Sequence, residues 1–270
     1  MLLCCVGSAR GADGPAITGD VIRLAGGSLV AGWHPGREEH ALDLLIHFHG
    51  ALPVLTKNYS EARLDCVLLV ANFDGLSSAY ANPFRASRKL FAEMLERTMR
   101  QLRERGKAGR NTRWRRICLS SFSAGYGAVR EILSRHAGFD RIDGLLAADS
   151  IYAGIAEDRA DRQVDEENMR DFLQFARQAA RQKKTFLITH SAQSTPYAST
   201  TETADDLLRA LEMKRDTAQR RDDDGVLQTS RASKGNFLVL GYAGETGESH
   251  MQHLRRIDCW WKMLPWDSPS

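Results

Sequence analysis

Apolar residues in this chain fall into short unbroken runs separated by longer stretches with helical spacing. Residues 42–49 form one run, closed by Gly50, and residues 66–72 (Cys-Val-Leu-Leu-Val-Ala-Asn) form a second. Further runs begin at Ile117 and cover 142–148, 185–190 and 236–242. A strand buried on both faces reads as a continuous apolar run, not as an alternation. Between the runs, residues 88–105 place Leu90, Phe91, Met94, Leu95, Met99 and Leu102 on one side of a helix. Residues 125–135, 168–180, 203–213 and 250–264 read as further helices. Residues 17–24 and 28–33 read as an opening hairpin joined at Gly26-Gly27. Short apolar strands alternating with helices predict an α/β fold: a doubly wound, mostly parallel sheet with helices on both faces.

With 270 residues the chain is long enough to bury one large core, and 43% hydrophobic with 26% charged residues is ordinary for a globular protein. The expectation is a single domain over 13–270. It carries two polar insertions, a small lid near 152–167 and a surface excursion near 215–233 that contains Asp222-Asp223-Asp224. Residues 1–12 read as the remnant of a signal segment: residues 1–6 are apolar and Gly7-Ser8-Ala9 is small-residue cleavage chemistry, although a charged start and a longer apolar core are missing. A secreted or periplasmic protein is therefore expected, with a cytoplasmic one as the alternative. No stretch is long and apolar enough for a membrane span. The net charge is +3, and the densest basic run, Arg110 to Arg116, reads as a solvated approach to a strand, so no nucleic-acid partner is expected. Five cysteines include Cys4 and Cys5 in the leading segment, then Cys66, Cys118 and Cys259; none has zinc spacing, and Cys66 and Cys118 read as small core hydrophobes. The sequence asks for no cofactor.

The chemistry concentrates where the strand starting at Ile117 meets a helix. Ser121-Phe122-Ser123-Ala124-Gly125 reads Ser-x-Ser-x-Gly across that junction, close to the Gly-x-Ser-x-Gly nucleophile elbow. Small residues two positions either side of the nucleophile are needed because the chain turns sharply and the nucleophile's backbone is strained. Ser123 is then the candidate nucleophile. The Ala124 N–H, at a helix N-terminus, is aimed at a developing oxyanion. A plain Ser-rich helix cap gives a similar pattern, so the junction alone does not decide.

With the strand and helix order, this elbow resembles that of the α/β-hydrolase superfamily, with Ser121 standing where the family usually has glycine. The resemblance implies three further roles. His49-Gly50 at the end of an early strand is similar to the family's oxyanion loop, which makes Ala51 the second oxyanion-hole donor, with Leu52 as the alternative. His250, after the glycine-rich loop 241–247 and before the last helix, stands where the family places its general base, with His253 one turn on as the alternative. The loop after the 185–190 strand, where the triad acid is commonest, holds no carboxylate. Asp149, one strand earlier, is taken as the acid, as in a minority of the family, with Glu202 and Asp205 as alternatives. The order Ser123, Asp149, His250 is the family's chain order.

The implied function is a serine hydrolase cleaving an ester or amide bond of a small-molecule or peptide substrate through an acyl-enzyme. A non-catalytic binding protein on the same fold, or an acyltransferase using the same nucleophile, are the alternatives. Tyr80, Tyr152 and Tyr197 are candidates for a pocket lining, equally readable as packing residues. His47 and His49 share a strand face and invite a metal, but further ligands are absent nearby, so His49 is read as a structural ring bonded to its own loop.

Overall fold

In the computed structural model, residues 41–156, 162–222 and 225–266 are described in full, and 20–24 and 27–32 as backbone. The leading segment with Cys4 and Cys5, the start of the first expected strand, Trp33, and the pair Asp223-Asp224 lie outside the described residues.

The apolar runs become the middle of a sheet. After β1 (Asp20–Leu24) and β2 (Gly27–Gly32) come β3 (Ala41–Phe48), β4 (Val67–Phe73), β5 (Arg113–Ser123), β6 (Gly144–Ser150), β7 (Thr185–His190), β8 (Asp216–Arg221), β9 (Leu227–Lys234) and β10 (Phe237–Tyr242). Their order across the sheet is β1-β2-β4-β3-β5-β6-β7-β10-β9-β8. From β4 to β10 every pairing is parallel, and the two hairpins at the edges are antiparallel.

Successive residues of a strand point to opposite faces, so each central strand feeds two cores. Leu44, Ile46 and Phe48 pack under α2 (Ser77–Ala86), α3 (Leu90–Glu104), α4 (Tyr126–Leu133), α5 (His136–Arg141), α6 (Glu166–Ala180) and α7 (Thr200–Ala210). Leu45, Cys118 and Leu146 pack on the other face, against α1 (Leu52–Ala62), α8 (Gly247–Arg255) and α9 (Ile257–Trp261). Among the described residues no helix is long and apolar enough to cross a membrane.

Several expectations need correction. The segment near 215–233 is no excursion: β8 and β9 form a hairpin that widens the sheet. Its edge strand β8 is almost wholly exposed and so lacks the apolar alternation that marks a strand. The basic run is not merely a solvated approach either. Arg113 already belongs to β5, and Arg115 grips the buried Asp43 through Nε at 2.9 Å and Nη2 at 2.8 Å. The closing helix is two, α8 and α9, broken at Arg256 (φ −116°). Helices α1, α2 and α5 have no counterpart in the apolar pattern; α2 carries Pro83, a residue that ordinarily breaks a helix, in its interior. Of the cysteines, Cys66 and Cys118 are buried and free, and burial pushes both thiols up; Cys259 is free and exposed.

Two glycines let α4 settle against the sheet and against α2. A Cβ on Gly125 would stand 2.2 Å from the Phe48 carbonyl oxygen, and one on Gly127 would stand 2.1 Å from that of Ser77. Both obstacles are backbone and cannot swing aside. Gly127→Ala is therefore expected to destabilise by about 3 kcal/mol in urea unfolding. Gly247→Ala, where an added Cβ meets nothing within 4 Å, is expected to be neutral or mildly stabilising. Equal stabilities for the two variants would show that α2 and α4 are not in close backbone contact.

Candidate active site

The parallel strands β5, β6 and β7 end along one edge of the sheet, and the candidate residues gather there. Ser123 is the last residue of β5 and has φ of 47°. A non-glycine residue in this left-handed region costs about 1–3 kcal/mol and persists where its surroundings hold it. Here the register against β6 shifts between Phe122 and Ser123. Across the shift, the Ser150 hydroxyl donates to the Ser123 carbonyl at 2.9 Å. Ser150 has one proton to give, so its 2.9 Å contact with the Ser121 hydroxyl runs from Ser121 to Ser150. Ser121, where glycine was the expectation, thus contributes a bond that glycine lacks.

Asp149, the last residue but one of β6, has φ of 41° and is fully buried. Its Oδ1 accepts from the Ser191 N–H at 2.9 Å and the Thr200 hydroxyl at 2.5 Å. Its Oδ2 accepts from the Ser191 hydroxyl at 2.7 Å and from His250 Nδ1 at 2.7 Å. Burial works against the charge, but the hydrogen bond from His250, the nearby imidazoles of His253 and His250, and the Thr200 bond outweigh it and hold the carboxyl well below the usual carboxylate range. Ser150, Ser191 and Thr200 were not singled out in the sequence. For Ser150 and Ser191 the available signal was a polar residue at or just past the end of a buried strand; Thr200, at the start of α7, gave none.

His250 sits in the first turn of α8, after the N-cap Thr246, whose hydroxyl accepts from the Ser249 N–H. The imidazole lies on the Phe122 ring, centroids 4.5 Å apart and planes 27° off parallel, next door to Ser123. Donation from Nδ1 to Asp149 leaves Nε2 as the lone-pair nitrogen. Neither His250 Nε2 nor Ser123 Oγ has a partner among the described residues.

The alternatives are occupied elsewhere. His253 is buried, bonded through Nδ1 to the Thr189 hydroxyl at 2.7 Å, and burial pushes its pKa down to about 4. Glu202 closes the capping box of α7 with Ser199 and pairs with Arg162 at 3.0 Å. Asp205 pairs with Arg215 at 2.7 Å. His47, not His49, bonds the loop: its Nε2 meets the His49 carbonyl at 2.9 Å and its Nδ1 the Ser120 hydroxyl at 2.9 Å. His49 bonds the Tyr80 hydroxyl at 2.7 Å, which buries Tyr80 as a packing residue.

Two backbone donors without an acceptor among the described residues lie at this edge. Ala124 follows Ser123 directly, and its N–H has no acceptor among the described residues. At the end of β3, Asn72 clamps the Gly50 peptide from both sides, accepting from its N–H at 3.1 Å and donating to its carbonyl at 2.8 Å. The next residue, Ala51, caps α1 with an extended backbone; its carbonyl accepts from Val54 and Leu55, and its N–H is unpartnered among the described residues. Leu52 begins the first turn of the same helix.

Three buried imidazoles surround this arrangement. Burial lowers His47 to about 3 and His190 and His253 to about 4. These values lie below the unfolded value of about 6.5, so below that pH the unfolded chain binds more protons. Their contribution to stability is complete above about pH 6.5 and erodes as pH falls toward the folded values. Between pH 7 and 5 each ring is expected to cost about 2 kcal/mol of unfolding free energy. His253→Gln, which still offers Thr189 a partner, is expected to remove one such share. Urea titrations at the two pH values check this, and identical acid sensitivity in variant and wild type would show that His253 is not held neutral by the fold.

No family model matches this chain, and no curated protein matches it. Solved structures do. The BES protein from Bacillus cereus superimposes with a TM-score of 0.57 at 7% identity, over 96% of this chain and 100% of that one. The siderophore hydrolase EstB from Aspergillus nidulans gives 0.53 at 10% identity, over 96% and 99%. Likeness of this kind is likeness of architecture, and it agrees with the strand order and with the elbow at the end of β5: the chain has the α/β-hydrolase fold.

Proposed function

We propose that this protein is a serine hydrolase that cleaves an ester or amide bond through an acyl-enzyme on Ser123. The observation that carries the reading is the buried Asp149–His250 pair at 2.7 Å, with the imidazole's other nitrogen unpartnered beside a nucleophile turn. In this mechanism Ser123 Oγ attacks the substrate carbonyl while His250 Nε2 takes its proton. The ionised Asp149 steadies the imidazolium that results. The Ala124 and Ala51 N–H groups receive the oxyanion; such donors are each worth about 3–4 kcal/mol in other hydrolases. As the carbon–oxygen or carbon–nitrogen bond breaks, His250 returns the proton to the leaving alcohol or amine. Water, deprotonated by the same nitrogen, then releases the acid and regenerates Ser123. A fold of this kind also serves proteins without chemistry, and the reactivity of Ser123 separates the two cases.

A fluorophosphonate probe is expected to label the purified protein on Ser123, and Ser123→Ala and His250→Ala are expected to abolish labelling. Asp149→Asn is expected to lower kcat by about 10³–10⁴-fold. A folded wild type that takes no label would overturn the reading.

The serine relay gives a finer test. Removing the donor to the Ser123 carbonyl in Ser150→Ala is expected to lower kcat about tenfold with little change in KM, since a hydrogen bond of about 1 kcal/mol that holds the nucleophile's backbone is lost. Ser150→Thr, which keeps the hydroxyl, is expected to recover most of the rate. A variant that loses only melting temperature would mark Ser150 as a packing residue.

A further inference from the structure

The side of the site toward β6 and β7 is walled by aromatic rings. Tyr126 opens α4, three residues past Ser123. Its ring centroid lies 5.7 Å from that of Tyr152, which in turn lies 5.4 Å from that of Tyr197. Tyr152 follows Asp149 by three residues, and its hydroxyl donates to the Asp149 carbonyl at 3.5 Å. The rings make a continuous row from the nucleophile turn outward, ending at Tyr197, which is 49% exposed.

The row is fastened in place. Ala153 and Ala198, the neighbours of Tyr152 and Tyr197, exchange backbone hydrogen bonds of 3.4 and 3.0 Å. Arg162 donates to the carbonyls of Thr195 and Tyr197, each at 3.2 Å, while it pairs with Glu202. The row thus runs from the buried Tyr126 through the half-buried Tyr152 to the exposed Tyr197, and an exposed ring held at its outer end offers an apolar group a place to land.

Resting on the hydrolase reading above, we infer that the site takes esters that carry an aromatic ring, bound against the row Tyr126–Tyr152–Tyr197. The ring planes are tilted by 56° at one junction and crossed at 86° at the other. Rings set at such angles present both faces and edges to a ligand. An added aromatic ring gains edge-to-face or offset contacts beyond its buried area, whereas a saturated ring of the same size gains the area alone. The tyrosine hydroxyls add polar contacts for a substituted ring.

The test compares matched esters followed by proton release: ethyl phenylacetate against ethyl cyclohexylacetate, and 2-phenylethyl acetate against 2-cyclohexylethyl acetate. The first pair places the ring on the acyl side and the second on the alcohol side. In at least one pair the wild type is expected to favour the aromatic member about tenfold in kcat/KM. Tyr152→Leu and Tyr197→Leu are expected to bring that ratio close to one, while Tyr152→Phe keeps it. The ratio is internal to each variant, so a general loss of rate does not mimic the result. A wild type that takes the fluorophosphonate label but shows no aromatic preference in either pair, or turns over neither, overturns this inference and leaves the hydrolase reading standing. A wild type that neither takes the label nor hydrolyses any ester overturns both.

Discussion

A fully buried carboxylate at the end of β6 constrains everything around it. An ion of this kind is tolerated inside a protein only when its lone pairs are met by donors. Asp149 has four, drawn from Ser191 after β7, Thr200 at the start of α7, and His250 on α8. Those donors come from three segments that lie between about forty and a hundred residues beyond Asp149 in the sequence. The charge at Asp149 therefore requires that β7, α7 and α8 all reach the same sheet edge. Stability and site geometry are the same requirement here: a chain that failed to deliver one donor would strand a charge and would also misplace the imidazole.

Ser123 is held by a different logic. Its left-handed backbone is a local cost, and the restraint comes from both sides of the turn. On the strand side, the hydroxyls of Ser121 and Ser150 run as a short chain into the Ser123 carbonyl. On the helix side, the missing side chain of Gly125 lets α4 start against the Phe48 carbonyl. Either support alone would leave the turn free to relax toward ordinary strand or helix angles.

The sequence shows the central strands because burial on both faces leaves unbroken apolar runs; the boundaries of β7 fall at residues 185 and 190 as the pattern predicts. It singles out Ser123 as a candidate because the turn's steric demands restrict the residues two positions either side of it to small ones. The carboxylate was harder to read, since an aspartate at a strand end is also an ordinary turn residue; only the pairing of Asp149 with His250 in space distinguishes it from Glu202 and Asp205. The β8–β9 hairpin was illegible because an exposed edge strand has no core face to leave a trace. That His47 and not His49 bonds the loop was illegible for another reason: the partners that orient the two rings, the Ser120 and Tyr80 hydroxyls, are distant in sequence and brought close only by folding.

Three histidines lie within reach of Asp149 or its donors, and the fold sorts them by solvation. His253 contacts the hydroxyl of Thr189, and His190 accepts at Nε2 from Arg215 at 2.8 Å; burial keeps both rings neutral. Arg215 opposes a second positive charge on His190 directly, and His250 opposes one on His253. Were either ring to carry a proton near neutral pH, it would compete with His250 for the field of Asp149 and weaken their pairing. Holding the deep rings uncharged leaves the carboxylate's field to His250, which is bonded to it and reaches the outer edge through Nε2. One buried charge thus bears on one imidazole, through the Nδ1 hydrogen bond between His250 and Asp149.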